Sequence, residues 1–116
     1  MNAKNTNSLV TWEDHLRHAI DRMQSTIVDE IRIVKTVPVF VDHHNPESRP
    51  SNRFSAIVES DGIRFVILVT DKRFIVRPDS PSPFRCVFNR HSMPPGRRYL
   101  MHQAIESIVD LMGVMA

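Results

Sequence analysis

At 116 residues, with 41% hydrophobic and 24% charged side chains, the chain is long enough for one domain with a real core and too apolar for wholesale disorder. The lone Cys86 excludes an internal disulfide and a cysteine-based zinc site, and no apolar run reaches the roughly 18 residues of a membrane-spanning helix. Net charge is only +2, but it is unevenly spread: residues 72–98 hold Lys72, Arg73, Arg77, Arg85, Arg90, Arg97 and Arg98 against Asp79 alone.

The first ten residues are polar and are expected to be flexible, which leaves 11–116 as a single domain. Their composition lacks the apolar core of a signal peptide, and a lone thiol fits a reducing compartment, so a cytoplasmic protein is expected. Thr11 reads as a helix N-cap, with Asp14 three residues on to complete a capping-box pair. Trp12, Leu16, Ile20, Met23, Ile27, Ile31 and Val34 then recur at steps of three and four, the stripe of an amphipathic helix. The β-branched run "IRIVKTVPVFV" also suits a strand from Ile31 onward. Pro38 disfavours helix at Val37, so the change is placed near Lys35, and "VPVFVD" becomes an edge strand because Pro38 has no N–H to give a ladder.

"HHNPESRPSN", residues 43–52, has the composition of a loop. "RFSAIVES" and "IRFVILVTD" flank Asp61-Gly62, the strongest hairpin signal in the chain. The return strand is apolar on both faces from Phe65 to Val69, which suits a central position with cover on each side. "TDK" turns into a further strand, "RFIVRP", and "FRCVFN" is the last, with Phe84, Cys86 and Phe88 on one inward face. Leu100, Ala104, Ile105, Ile108, Leu111, Met112 and Met115 mark a second amphipathic helix, broken near Gly113. The expected fold is α+β, a two-layer sandwich. An antiparallel meander of four to five strands carries an N-terminal and a C-terminal helix.

The basic segment is the leading candidate for a site. Antiparallel pairing of the last two strands would bring Lys72 and Arg73, at a turn, beside Arg90, at a strand end. Arg97 and Arg98 open the final helix against its dipole, an arrangement easier to explain beside an anion. With Arg85, these six side chains are expected to form an arginine-rich, anion-facing rim. The corresponding function is a small non-catalytic interaction protein docking an acidic macromolecular surface, as an adaptor, chaperone or inhibitor of a larger assembly. The alternative is a nucleic-acid-associated module. About four neutralised phosphates would give a log–log salt slope near −3.6, enough for weak non-specific binding.

Other chemistry finds less support. His15 and His18 lie on a helix face, His43 and His44 in a loop, and His91 and His102 flank the basic segment, without the H-E-x-x-H pattern of a zinc helix. Three glycines form no phosphate loop, so neither metal nor cofactor is expected. Cys86 sits among apolar neighbours as an inert core thiol would. An enzyme is therefore disfavoured; its concrete form would be His91 acting with Cys86 or with an acidic partner. The methionine-bearing C-terminal helix offers apolar width for a homodimer.

Overall fold

A computed structural model describes residues 11–24, 30–40 and 50–115, and for 38–40 and 50–52 the backbone alone. Helix α1 (Trp12–Met23) is followed by strands β1 (Ile31–Phe40), β2 (Pro50–Ser60), β3 (Ile63–Val69), β4 (Arg73–Pro78) and β5 (Cys86–Asn89), a short 3-10 turn at Arg90–Ser92, and helix α2 (Arg97–Met115). The strands form one open antiparallel sheet in the order β1-β2-β3-β4-β5, a meander with β3 at its centre. Expectations for the first ten residues, for His43 and His44, and for Ile27 lie outside the described residues.

The α1 start is built as its sequence dictates. The Asp14 amide donates to Thr11 Oγ1 at 3.2 Å, and the Thr11 amide donates back to Asp14 Oδ2 at 2.9 Å, so both partners of the capping box are engaged. The helix does not run to Lys35. It ends at Met23, and Ile31–Phe40 is strand throughout, paired to β2 from Ile31↔Ser60 to Phe40↔Pro50. Tertiary pairing decides in favour of the β-branched character of this run over its helical spacing. β2 likewise begins at Pro50, inside the stretch read as loop.

The β2–β3 turn is Asp61-Gly62, with φ of 52° and 74°, the two left-handed residues that a type I′ hairpin requires. Register then sorts every strand residue to one of two faces. One face carries Ile31, Phe54, Ala56, Val58, Phe65, Ile67, Val69, Phe74 and Val76, all buried in one cluster with Trp12, Leu16, Leu100, Ile105 and Ile108 of the helices. Both helices therefore cover the same side, in a two-layer α+β architecture. Trp12 stacks on Phe54 at 5.6 Å between ring centroids, which anchors α1 on β2.

Two further expectations are corrected. β5 begins only at Cys86, and Phe84, expected to face inward, is 43% exposed. Its amide donates to Ser82 Oγ, part of a Pro-flanked bend that keeps Phe84 out of the strand. Nor does Gly113 break α2, which continues to Met115; a solvent-facing glycine costs helix propensity without stopping the ladder.

Candidate functional site

The β3–β4 turn is organised by Thr70. Its hydroxyl accepts from the Arg73 amide at 3.0 Å, and its own amide donates to the Arg73 carbonyl at 2.9 Å. Arg90 closes on this turn from the end of β5. Its amide donates to the Lys72 carbonyl at 3.0 Å and its guanidinium to the Thr70 carbonyl at 2.7 Å. Lys72, Arg73 and Arg90 are thereby brought together, as antiparallel pairing of β4 and β5 requires. Asp71 sits among them, bound to Arg53 at 2.7 Å. That hydrogen bond, and then the charges of Arg53, Arg90 and Lys72, hold the Asp71 carboxyl below the usual carboxylate range. Both partners are exposed, so the pair is electrostatic texture, not a fold-determining bond.

The remaining members of the expected rim go elsewhere. Arg97 lies over the Trp12 ring at 4.9 Å, half-buried, and burial lowers its pKa from the ordinary arginine value. Trp12 rests on Phe54, and Phe54, Val69, Phe74 and Phe88 form the sheet row nearest the β3–β4 turn, so Arg97 shares that end of the molecule but belongs to the helical layer. Arg98 lines a groove between the helices. Arg85 precedes β5 and lies beside Arg77 and Pro78 at the opposite end of the sheet. Lys72, Arg73 and Arg90 share one end of the sheet, with Arg97 at that end in the helical layer; Arg98 lies in the groove between the helices and Arg85 at the opposite end.

The sheet face turned away from the helices was not singled out by sequence reasoning. Its centre is aliphatic: Ile57 pairs with Val66, and Leu68 with Ile75, in adjacent rows of β2, β3 and β4. Val87, 48% exposed, extends the strip onto β5 opposite Ile75. Around it stand Arg32, Lys35, Arg64, Arg73 and Arg77. Glu59 is the one acidic strand residue on this face among the described residues, and it is shared by Arg32 at 2.8 Å and Arg64 at 3.6 Å. Lys35, Arg73 and Arg77 have no carboxylate partner among the described residues. The signal for this face was the two-sided apolar character of β3, which predicted cover that the helices do not supply.

The groove between α1 and α2 was missed as well. It has a volume of about 480 Å³ and is lined by His15, His18 and Arg22 from one helix and by Arg98, Tyr99 and His102 from the other. The steps of three and four that align His15, His18 and Arg22 on one helix face, and that place His102 one turn beyond Arg98 and Tyr99, are legible in the sequence, but the pairing across two helices is not. Burial and then Arg97 lower the pKa of His15, Asp14 pulls against them, and His18 and Arg98 add lesser downward pulls.

Cys86 lies half-buried on the core face of β5. His91 is exposed in the 3-10 turn beyond the far end of that strand, its amide held by Asn89 Oδ1 at 2.9 Å. No cluster of three or more His, Cys, Asp or Glu side chains arranged to hold a metal ion exists among the described residues. No described helix is long and apolar enough to cross a membrane. Comparisons of the chain with protein-family models, with curated proteins and with solved structures give no match.

Proposed function

We propose that the chain is a small non-catalytic interaction module that docks an acidic, partly apolar surface of a larger protein, as an adaptor, chaperone or inhibitor. One observation carries this reading. The sheet face that neither helix covers places the half-buried Ile57, Leu68 and Ile75 around a buried Val66, with Val87 exposed at their edge, inside a border of arginine and lysine. An apolar centre gives binding energy by burial, and a cationic border selects an acidic partner and speeds encounter. Lys72, Arg73 and Arg90 extend the border around the β3–β4 turn, and Arg85 extends it at the other end. A cytoplasmic setting, where a single thiol stays reduced, suits such a module.

The nucleic-acid reading draws less support. Binding single strands calls for a series of exposed aromatic rings beside the cations. Phe54, Phe65 and Phe74 are buried under the helices, and Phe88 packs against them; Phe84 is the one exposed phenylalanine among the described residues. The pairing of Cys86 with His91 that an enzyme would need has the two residues at opposite ends of β5. A homodimer through α2 would draw on Val109 and Val114, which that helix leaves exposed while Met101 is fully buried.

The test is binding of two labelled probes, an acidic peptide of alternating Glu and Leu and a single-stranded DNA oligomer, followed by fluorescence anisotropy. The peptide is expected to bind. Arg73→Glu with Arg77→Glu should weaken it at least about tenfold, and Leu68→Ser should weaken it severalfold. Tight DNA binding with a salt slope near −3.6, or a peptide affinity indifferent to both variants, would overturn the reading.

A further inference from the structure

Packed helices ordinarily fill the seam between them with apolar side chains, and along most of α1 and α2 they do: Leu16, Ala19 and Ile20 meet a helix whose Leu100, Met101, Ala104 and Ile108 are buried. At the start of α2 the seam opens into the groove of about 480 Å³, and its walls change character. His15, His18 and Arg22 face Arg98 and His102 across it. Two of these side chains are permanently cationic and three are histidines. The carboxylate closest to them on α2 is Glu106, 3.3 Å from His102. Arg22 and Arg98 make no ion pair among the described residues. Arg22 and Arg98, the two fixed cations, repel across the open groove, and a bound anion relieves the repulsion; Asp14 and Glu106 offset charge only at His15 and His102.

Three features narrow the ligand. The volume suits a small molecule, at the lower part of the range of about 300–1,000 Å³ for ligand pockets, and is too small for a protein segment with its own fold. Tyr99 presents a ring that is 44% exposed, beside Ala19 and Pro94, so one part of the groove is apolar and flat. The first turn of α2 carries no acidic side chain and instead offers Arg98, so the positive end of the helix dipole is left uncompensated at the mouth of the groove. We propose that this groove binds a small organic anion, a phosphate or carboxylate head carried on a ring, with Arg22 and Arg98 gripping the head from opposite walls and Tyr99 packing on the ring. This site lies on the helical layer, away from the uncovered sheet face, and stands or falls independently of the docking function.

The experiment is an NMR titration of the ¹⁵N-labelled protein with phenyl phosphate, benzoate and inorganic phosphate in turn. Saturable shifts at Arg98, Tyr99 and His102 are expected with at least one of the two ring-bearing anions, with half-saturation on the order of 1 mM or below, and weaker binding of inorganic phosphate. Which ring-bearing anion binds more tightly identifies the head group. Arg22→Gln with Arg98→Gln should raise the dissociation constant at least about tenfold, since each removes a charge-assisted hydrogen bond. Both side chains are exposed, so the fold should survive, as the unperturbed amide spectrum would show. Tyr99→Ala provides a second variant, expected to lower affinity for the ring-bearing anions while sparing that for inorganic phosphate. No saturable shift with either ring-bearing anion, or the same affinity in the double variant, would overturn the proposal.

Discussion

Ser60 closes β2 on the core face, opposite Ile31 of β1 and Ile63 of β3, and is 1% exposed. Its hydroxyl has no hydrogen-bond partner, the one such buried side-chain group among the described residues. Burying a hydroxyl without a partner costs about 1–3 kcal/mol relative to leaving it in water. Ser60→Ala removes the group and leaves a space no larger than one oxygen, while a slightly poorer strand propensity subtracts a few tenths of a kcal/mol. The net expectation is a gain of about 1–2 kcal/mol, which for a domain of this size raises Tm by roughly 4–8 °C. Urea unfolding followed by circular dichroism should show a higher midpoint at an unchanged slope, because the surface exposed on unfolding is the same. A variant as stable as the parent or weaker would mean that the hydroxyl is bonded in solution and that the packing at this row is not as dry as described.

Three further stability predictions concern the start of α1 and its titrating groups. Thr11→Ala removes the hydroxyl that accepts from the Asp14 amide, leaving the residue-11 amide's own bond to Asp14, and should lower stability by about 1 kcal/mol, read as a drop of several degrees in Tm. Asp14, held down chiefly by its hydrogen bond from the Thr11 backbone, and Glu13, held down by Thr36 and Arg17, have folded pKa values below the ordinary 3.8 and 4.5; their contribution is present above that range and is lost as pH falls through it. His15, whose pKa is lowered first by burial, keeps its contribution above its ordinary 6.5 and loses it as pH falls below; His15→Gln should flatten the stability curve in that upper window and leave the acid limb intact.

Local signals carried over where local chemistry decides the outcome. Asp61-Gly62 made its hairpin because two adjacent left-handed residues leave few alternatives, and Thr11 with Asp14 made its cap because both partners lie within one turn. The end of α1 was not legible in the same way. Residues 31–35 satisfy helical spacing and strand propensity together, and what separates them is pairing with residues 57–60, which no window on the chain contains. The rim was half legible for a related reason. Arg90 had to return to Lys72 once β4 and β5 were neighbours, and the same geometry sends Arg85, at the other end of a four-residue strand, away from them. The stacking of Arg97 on Trp12 joins the first turn of α1 to the first turn of α2, a contact that neither helix announces.

Solubility alone accounts poorly for where the cations stand. Charges on a sheet are most needed at its edges, where unpaired backbone groups invite another strand, and Arg32 and Lys35 on β1 answer that need. Arg64 and Arg73 lie instead on β3 and β4 with backbone partners on both sides, and Arg77 lies on β4 just beyond the last β5 pairing, Val76↔Cys86. An interior strand with a solvent face ordinarily alternates, polar residues out and apolar residues in. Here β3 sends Val66 and Leu68 outward along with Arg64, and β4 sends Ile75 outward between Arg73 and Arg77. A face built only to meet water would exchange those aliphatic residues for polar ones at little cost to the fold, since the core lies on the other side. Keeping them costs solubility, and interspersing arginine among them recovers it. The combination is what a surface needs if it is exposed in one state and buried against an acidic partner in another.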